Sequence, residues 1–311
     1  MEDSEPFYDF CVPYNKDETA FRETLKELFE LGYKTIAIEE IFTHGKKVGV
    51  KLPRDMFPKP VNIEHLRDEY KTKMKILQRI TIIYSESSVA HAMSISSNIK
   101  MYDIIAGQPK TDAALTHCCA NFTGELITFD IENGAKLLVN HKSYSIACNR
   151  GKFFELKYAP AIRDSNVRKD LIKIAHNYRL RDKPKNVIIS SGANNAFEVR
   201  SPYDIANLSL IFGFSEDQGK CAINRYGRQL FLKACARRIG KTFMYIKGSG
   251  PVVFSIYGED DAISDEEDME AEEGADSDES DMEAEEGSIA DTEEKTNDEL
   301  LEQPSKKLKT A

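Results

Sequence analysis

The sequence predicts an α/β fold of TIM-barrel-like type, seven or eight mostly parallel strands with surrounding helices, followed by a disordered acidic C-terminal tail. Three observations predict it. Short, β-rich apolar runs alternate with stretches of helical period, and parallel strands need such crossovers to return. The part of the chain that carries this alternation is close to the roughly 250 residues of eight β/α units. Composition then changes abruptly. From Gly258 onward there are 23 acidic and 4 basic side chains, net −19, which leaves residues 1–257 at +9 in a 311-residue chain of −10. A doubly wound sheet also fits the alternation, but the length favours a barrel-like closure that is irregular in one unit. The chain is thus divided into a domain over 1–257, ending in a helical region, and a tail over 258–311.

The elements follow in order. FYDFCV (7–12) is the first strand, and residues 17–31 place Phe21, Leu25 and Leu28 on one helical stripe. KTIAIEE (34–40), ILQRITIIYS (76–85), YDIIAG (102–107) and ELITFD (125–130) are the next strands. HKSYSIACNR (141–150) fits an eighth strand, or else a helix ended by Gly151. FFELKYA (153–159) sets Phe154, Leu156 and Tyr158 on one face, beneath helices. Glu155 and Lys157 share the other face, which points inward in a barrel, so these charges are expected to pair in an internal network. Pro160 ends that strand. Asp164 is placed to cap a helix over 165–180 with Val167, Leu171, Ile174 and Tyr178 along its stripe. NVIISS (186–191) is the seventh strand. A long helical region, about 215–240, turns Ala222, Tyr226, Leu230 and Ala234 to the core. Arg225, Arg228, Lys233 and Arg237 occupy its outer face, a solvated face by default and an RNA-contacting one in the alternative.

The tail repeats DMEAEEG at 268–274 and 281–287 and holds no aromatic residue, so it cannot bury enough surface to offset chain entropy. Ser264, Ser280 and Ser288 each have an acid three residues on, the pattern of an acid-directed kinase target. PSKKLKTA at the end is a short basic cluster of nuclear-import type. MEDSEPFYDF lacks the apolar stretch of a secretory signal, and no run approaches the roughly 20 apolar residues of a membrane span, so no membrane partner is expected. Six cysteines without C-x-x-C spacing suggest reduced intracellular thiols.

Catalytic motifs are thin. GKT at 240–242 resembles the end of a phosphate-binding loop, but Cys235 stands where its first glycine belongs. Six scattered histidines show no metal-ligand spacing, and Asp9, Cys11, Glu39 and Asp130 near strand ends make a poor metal set. No catalytic and no metal residue is therefore assigned. The basic body instead suggests a polyanionic partner.

NRGKFFELKYAPAIRD (149–164), followed by a basic helix, and IISSGANNAFEVRSPYDIANLSLIFGF (188–214) closely resemble the thirty-kilodalton protein subunit of ribonuclease P and ribonuclease MRP of archaea and eukaryotes. YDFCVP (8–13) and LQRITI (77–82) resemble that family's opening and third strands, and the likeness covers roughly residues 7–240. The resemblance implies a barrel-like fold, distantly similar to metal-dependent phosphoesterase barrels but with Asp9 and Cys11 in place of their first-strand H-x-H. It implies a chain that binds no cofactor, in a complex whose RNA is the catalyst and uses Mg²⁺. The expected partners are the catalytic RNA of ribonuclease P, the MRP RNA, a small protein subunit of ferredoxin-like fold, the other subunits, and precursor tRNA indirectly. The work implied is 5′-leader removal from precursor tRNA and processing of rRNA precursors, in the nucleus and nucleolus. The alternative is a stand-alone metal-dependent phosphoesterase or nuclease on the same barrel. Cations at element ends suit phosphate contacts, so Arg79, Lys110, Arg150, Arg163 and Arg200, then Arg168 and Arg228, are the expected RNA-binding residues.

Overall fold

The structure is a computed structural model and describes residues 6–45, 55–130, 136–181 and 185–240. The described residues all fall in one compact unit. The domain boundary expected at 257, the tail over 258–311 and its Ser264, Ser280 and Ser288 lie outside the described residues.

Seven parallel strands follow one another in sequence order around a nearly closed barrel. In chain order the elements are β1 Phe7–Pro13, α1 Glu18–Glu30, β2 Tyr33–Thr43, α2 Glu64–Tyr70, β3 Lys75–Tyr84, α3 Val89–Ile95, β4 Ile104–Pro109 and α4 Asp112–Ala120. Then come β5 Leu126–Ile127, α5 His141–Asn149, β6 Phe153–Lys157, α6 Ala159–Arg163, α7 Ser165–Arg181 and β7 Val187–Ser190. The described residues end with α8 Pro202–Ile211, α9 Glu216–Ile223 and α10 Arg225–Ile239.

Local chemistry fixes these boundaries. Asp17 caps α1 by accepting from the Thr19 and Ala20 amides, and Phe21, Leu25 and Leu28 bury against the sheet. Asp164 Oδ1 accepts the Asn166 amide at 2.7 Å, so it caps α7 as expected. Ser215 and Gln218 form a capping box on α9.

Of the two readings of residues 141–150, the helix ended by Gly151 is the one present: Asn140 caps α5 through the Ser143 amide at 2.8 Å, and Gly151 follows at φ +64. Two expectations needed correction. The strand expected over 125–130 shrinks to Leu126–Ile127. It pairs with β4 and β6 over two residues each, and this is the irregular unit of the barrel. The helix expected over 215–240 is broken at Asn224 into α9 and α10.

The faces of α10 also differ from expectation. Lys233 and Arg237 are not on a solvated face but turn onto the N-terminal ends of the strands. Lys233 Nζ donates to the Arg150 carbonyl and, at 2.6 Å, to that of Gly151, just before β6. Arg237 Nε donates to Glu125 Oε1 at 2.5 Å, and its Nη2 reaches the Tyr102 and Asp103 carbonyls at 3.1 and 2.9 Å. Arg238 pairs with Asp103. Gly227 packs so close to Tyr8 of β1 that a Cβ would lie 2.7 Å from its ring. α10 therefore closes the floor of the barrel.

Candidate nucleic-acid interface

Strand alternation turns Asp9, Cys11, Glu39, Arg79, Thr81, Glu155 and Lys157 into the barrel, where all but Lys157 are buried and Lys157 is nearly so. Arg79 is 0% exposed. Its guanidinium forks onto Glu155, Nη1 to Oε1 at 2.5 Å and Nη2 to Oε2 at 2.7 Å. Nη2 also lies 3.1 Å from Glu39 Oε1, and Nη1 donates to the Phe10 carbonyl at 2.7 Å. Lys157 Nζ donates to Glu39 Oε1 at 3.0 Å, and Thr81 Oγ1 to the same oxygen at 2.5 Å. The internal pairing expected of Glu155 and Lys157 is present. Arg79, expected to touch RNA, cannot: every direction its fork points is filled by its own barrel. A buried arginine persists only when paired, and two carboxylates pair it.

Electrostatics sort these carboxylates. Burial alone would raise Glu39, but the charges of Lys157 and Arg79 and the Thr81 hydroxyl outweigh it and hold it well below the usual range. Glu155 is lowered likewise by Arg79 and Lys157 against the same burial. Asp9 goes the other way: burial pushes it up to about 6, although Ser191 and Cys11 amides donate to it. Its Oδ1 accepts from Ser191 N at 3.0 Å and Cys11 N at 3.1 Å, while its Oδ2 has no partner. No backbone ladder joins β7 to β1 among the described residues. This carboxylate fastens the seam, with Gly192 N and Ser191 Oγ donating to the Cys11 carbonyl at 2.8 and 3.1 Å. Burial raises the Cys11 thiol well above its ordinary value, and it donates to Glu39 Oε2 at 3.2 Å. Among the described residues no group of three His, Cys, Asp or Glu is arranged to hold a metal ion. The interior can hold a barrel together. Its two low-lying carboxylates, Glu39 and Glu155, are ion-pair partners of Arg79 and Lys157.

The remaining expected contacts lie on two ends of the barrel. At the C-terminal end, Lys110 follows β4 and is exposed, Arg163 and Arg168 follow β6, and Arg200 follows β7. Arg163, 44% exposed at its side chain, stands 3.5 Å from Glu198 Oε1. Arg168 Nε donates to the Ala161 carbonyl at 2.9 Å. Half-buried Arg200 folds its Nη1 onto the Phe197 and Val199 carbonyls, both at 2.8 Å. The segments after adjacent strands β6 and β7 meet where Arg163 reaches Glu198, on the turn that Arg200 also holds. Arg150, exposed just before β6, and half-buried Arg228, on α10, belong to the opposite end.

Sequence reasoning missed the Asp9 seam, because neither Ser191 nor Cys11 announces a backbone donor. It also missed Lys152, buried with its Nζ on the Phe122 and Gly124 carbonyls at 2.5 and 2.8 Å. It passed over Phe197, whose signal was available: a lone aromatic in the polar turn GANNAFEVR.

Comparison with known proteins gives the same reading of the chain. Residues 6–239 match the family model described as RNase P subunit p30. The Mus musculus ribonuclease P protein subunit p30 is 33% identical over 239 residues, which covers 75% of this chain and 87% of the mouse protein. The Saccharomyces cerevisiae ribonuclease P/MRP protein subunit RPP1 is 27% identical over 247 residues, 77% of this chain and 82% of the yeast protein. A chain from the cryo-EM structure of archaeal ribonuclease P with mature tRNA shares the fold, at a TM-score of 0.55 and 16% identity, covering 81% of this chain and 99% of that one.

Proposed function

The chain belongs to the RNase P subunit p30 family, and on that premise we propose that it is a non-catalytic RNA-binding subunit of the ribonuclease P ribonucleoprotein and of its MRP relative. The observation that carries this reading is a division of charge. The inner carboxylates Glu39 and Glu155 are committed to Arg79 and Lys157, while Lys110, Arg163, Arg168 and Arg200 stand at the C-terminal rim. Cations so placed bind phosphates and position an RNA without reading its sequence.

In this reading the RNA of the complex carries out the chemistry with its own Mg²⁺, and this chain holds no cofactor. Its direct partners are the ribonuclease P RNA, the MRP RNA, a small subunit of ferredoxin-like fold and the other protein subunits. Precursor tRNA is met indirectly, as the substrate whose 5′ leader is removed. The MRP particle extends the role to rRNA precursors, and the site of action is the nucleus and nucleolus. A stand-alone phosphoesterase on this barrel is the weaker reading, because Glu39, the carboxylate it needs at a strand end, already serves two cations and a hydroxyl.

The test is to tag the chain, purify it from its own cells, sequence the RNA it retains and assay the eluate on precursor tRNA. The expected result is one or two abundant structured RNAs and leader cleavage that disappears when those RNAs are digested. Cleavage by the RNA-free chain in Mn²⁺ or Zn²⁺, abolished by chelation, would overturn the reading.

A further inference from the structure

Phe197 is 86% exposed, more than any other large apolar side chain among the described residues. It sits in the 3-10 turn Ala196–Glu198 between β7 and α8. The turn is held from both sides. Asn195 Oδ1 accepts the Glu198 amide at 3.2 Å, and the buried Glu198 carboxylate accepts from the Asn194 amide at 2.9 Å and from Asn195 Nδ2 at 3.3 Å. Arg200 Nη1 donates to the Phe197 carbonyl at 2.8 Å. The Arg200 backbone is pinned in turn, its amide donating to Tyr158 Oη at 3.0 Å and its carbonyl accepting from Tyr33 Oη at 2.9 Å. A rigid backbone therefore presents a ring that contributes nothing to its own core.

The neighbours of this ring separate two uses for it. A protein-docking patch continues in apolar side chains around its anchor. Here the turn is flanked by exposed Asn194 and Asn195, and its carboxylate and carbonyl hold Arg163 and Arg200. A fixed aromatic face beside guanidinium groups is the arrangement that binds unpaired nucleotides, the base stacking on the ring and the phosphates lying on the cations.

We propose that Phe197 is a stacking platform for an unpaired base of the bound RNA, with Arg163 and Arg200 receiving the adjoining phosphates. This rests on the RNA-binding reading and adds to it an aromatic interaction that is independent of salt.

The chain contains no tryptophan, so Phe197→Trp in the full chain introduces a single indole reporter at an exposed position. It is titrated with a single-stranded RNA of about 12 nucleotides and with the same backbone lacking bases. The expected result is quenching by the first and none by the second. Phe197→Ala should weaken binding of the base-bearing RNA on the order of tenfold and leave the slope of affinity against salt unchanged. If RNA binds by anisotropy while the indole emission stays constant and Phe197→Ala binds as tightly as the parent, the platform is wrong and the RNA-binding reading stands. An emission change produced by the other protein subunits, and not by RNA, would likewise overturn it in favour of a protein-docking role. If the unaltered chain binds no RNA at all, the broader reading fails and the platform with it.

Discussion

Asp9 fastens β1 to the residues after β7 with one oxygen and leaves the other unpartnered in the barrel. Burial raises it to about 6 from an ordinary value of 3.8, so the fold prefers its protonated form. A folded value above the unfolded one means that its contribution is complete below about pH 4 and is lost as pH rises through 6. Asp9→Asn cannot ionise. Its unfolding free energy relative to the parent should therefore rise between pH 5 and pH 8, by on the order of 2 kcal/mol, as read from urea unfolding at each pH. A constant difference across that range would contradict the assignment. Glu39 and Glu155 behave oppositely: their lowered values make stability that is present above the usual carboxylate range and lost in acid. Arg79→Met strands Glu155 in the barrel, while Glu39 keeps Lys157 and Thr81, and should destabilise the fold by about 3–5 kcal/mol, measured the same way. The inward pairing of Glu155 and Lys157 was legible because alternation along FFELKYA puts both on one face. The fate of Arg79 was not. Nothing local to LQRITI says that its partner lies 76 residues away on β6, and an arginine in a strand reads equally as a ligand contact.

Helix α10 shows why the elements were easier to find than their faces. Its period placed Leu230 and Ala234 inward correctly, and both are buried. Lys233 and Arg237 looked solvent-facing because a helix closing a barrel floor meets backbone carbonyls and a buried carboxylate instead of apolar residues. Gly227 carries the closest approach: with a Cβ 2.7 Å from the Tyr8 ring, Gly227→Ala should overpack the floor. The expected cost is about 1–3 kcal/mol, seen as a Tm lowered by roughly 2–4 °C per kcal/mol. An unchanged Tm would mean that α10 lifts off the strand ends freely. The shortness of β5 escaped notice for a related reason. ELITFD has the composition of a full strand, but beside it the chain is pressed through Gly107 and Gly124, where a Cβ would meet Phe122 at 2.9 and 2.4 Å. Pairing there ends after Ile127. Sequence composition carries no record of such crowding.

At the scale of the molecule, residues 1–257 carry a net charge of +9, and inside the barrel Arg79 and Lys157 answer Glu39 and Glu155. The barrel and its parallel order were legible from alternation and length, because β/α crossovers leave little other topology. Which cations face outward was not, since burial depends on strand register. Lys110, Arg163, Arg168 and Arg200 at the C-terminal rim are the side chains on which RNA binding depends in this reading. The most direct test measures the affinity of the full chain for its ribonuclease P RNA across a salt series, for the parent and for a variant with these four changed to glutamine. Each phosphate that is no longer neutralised should flatten the plot of log affinity against log salt by about 0.7–0.9. The expected flattening corresponds to at least two phosphates, with circular dichroism showing that the fold is retained. A folded variant whose slope equals the parent's would place the RNA elsewhere on the molecule and contradict the assignment of the rim.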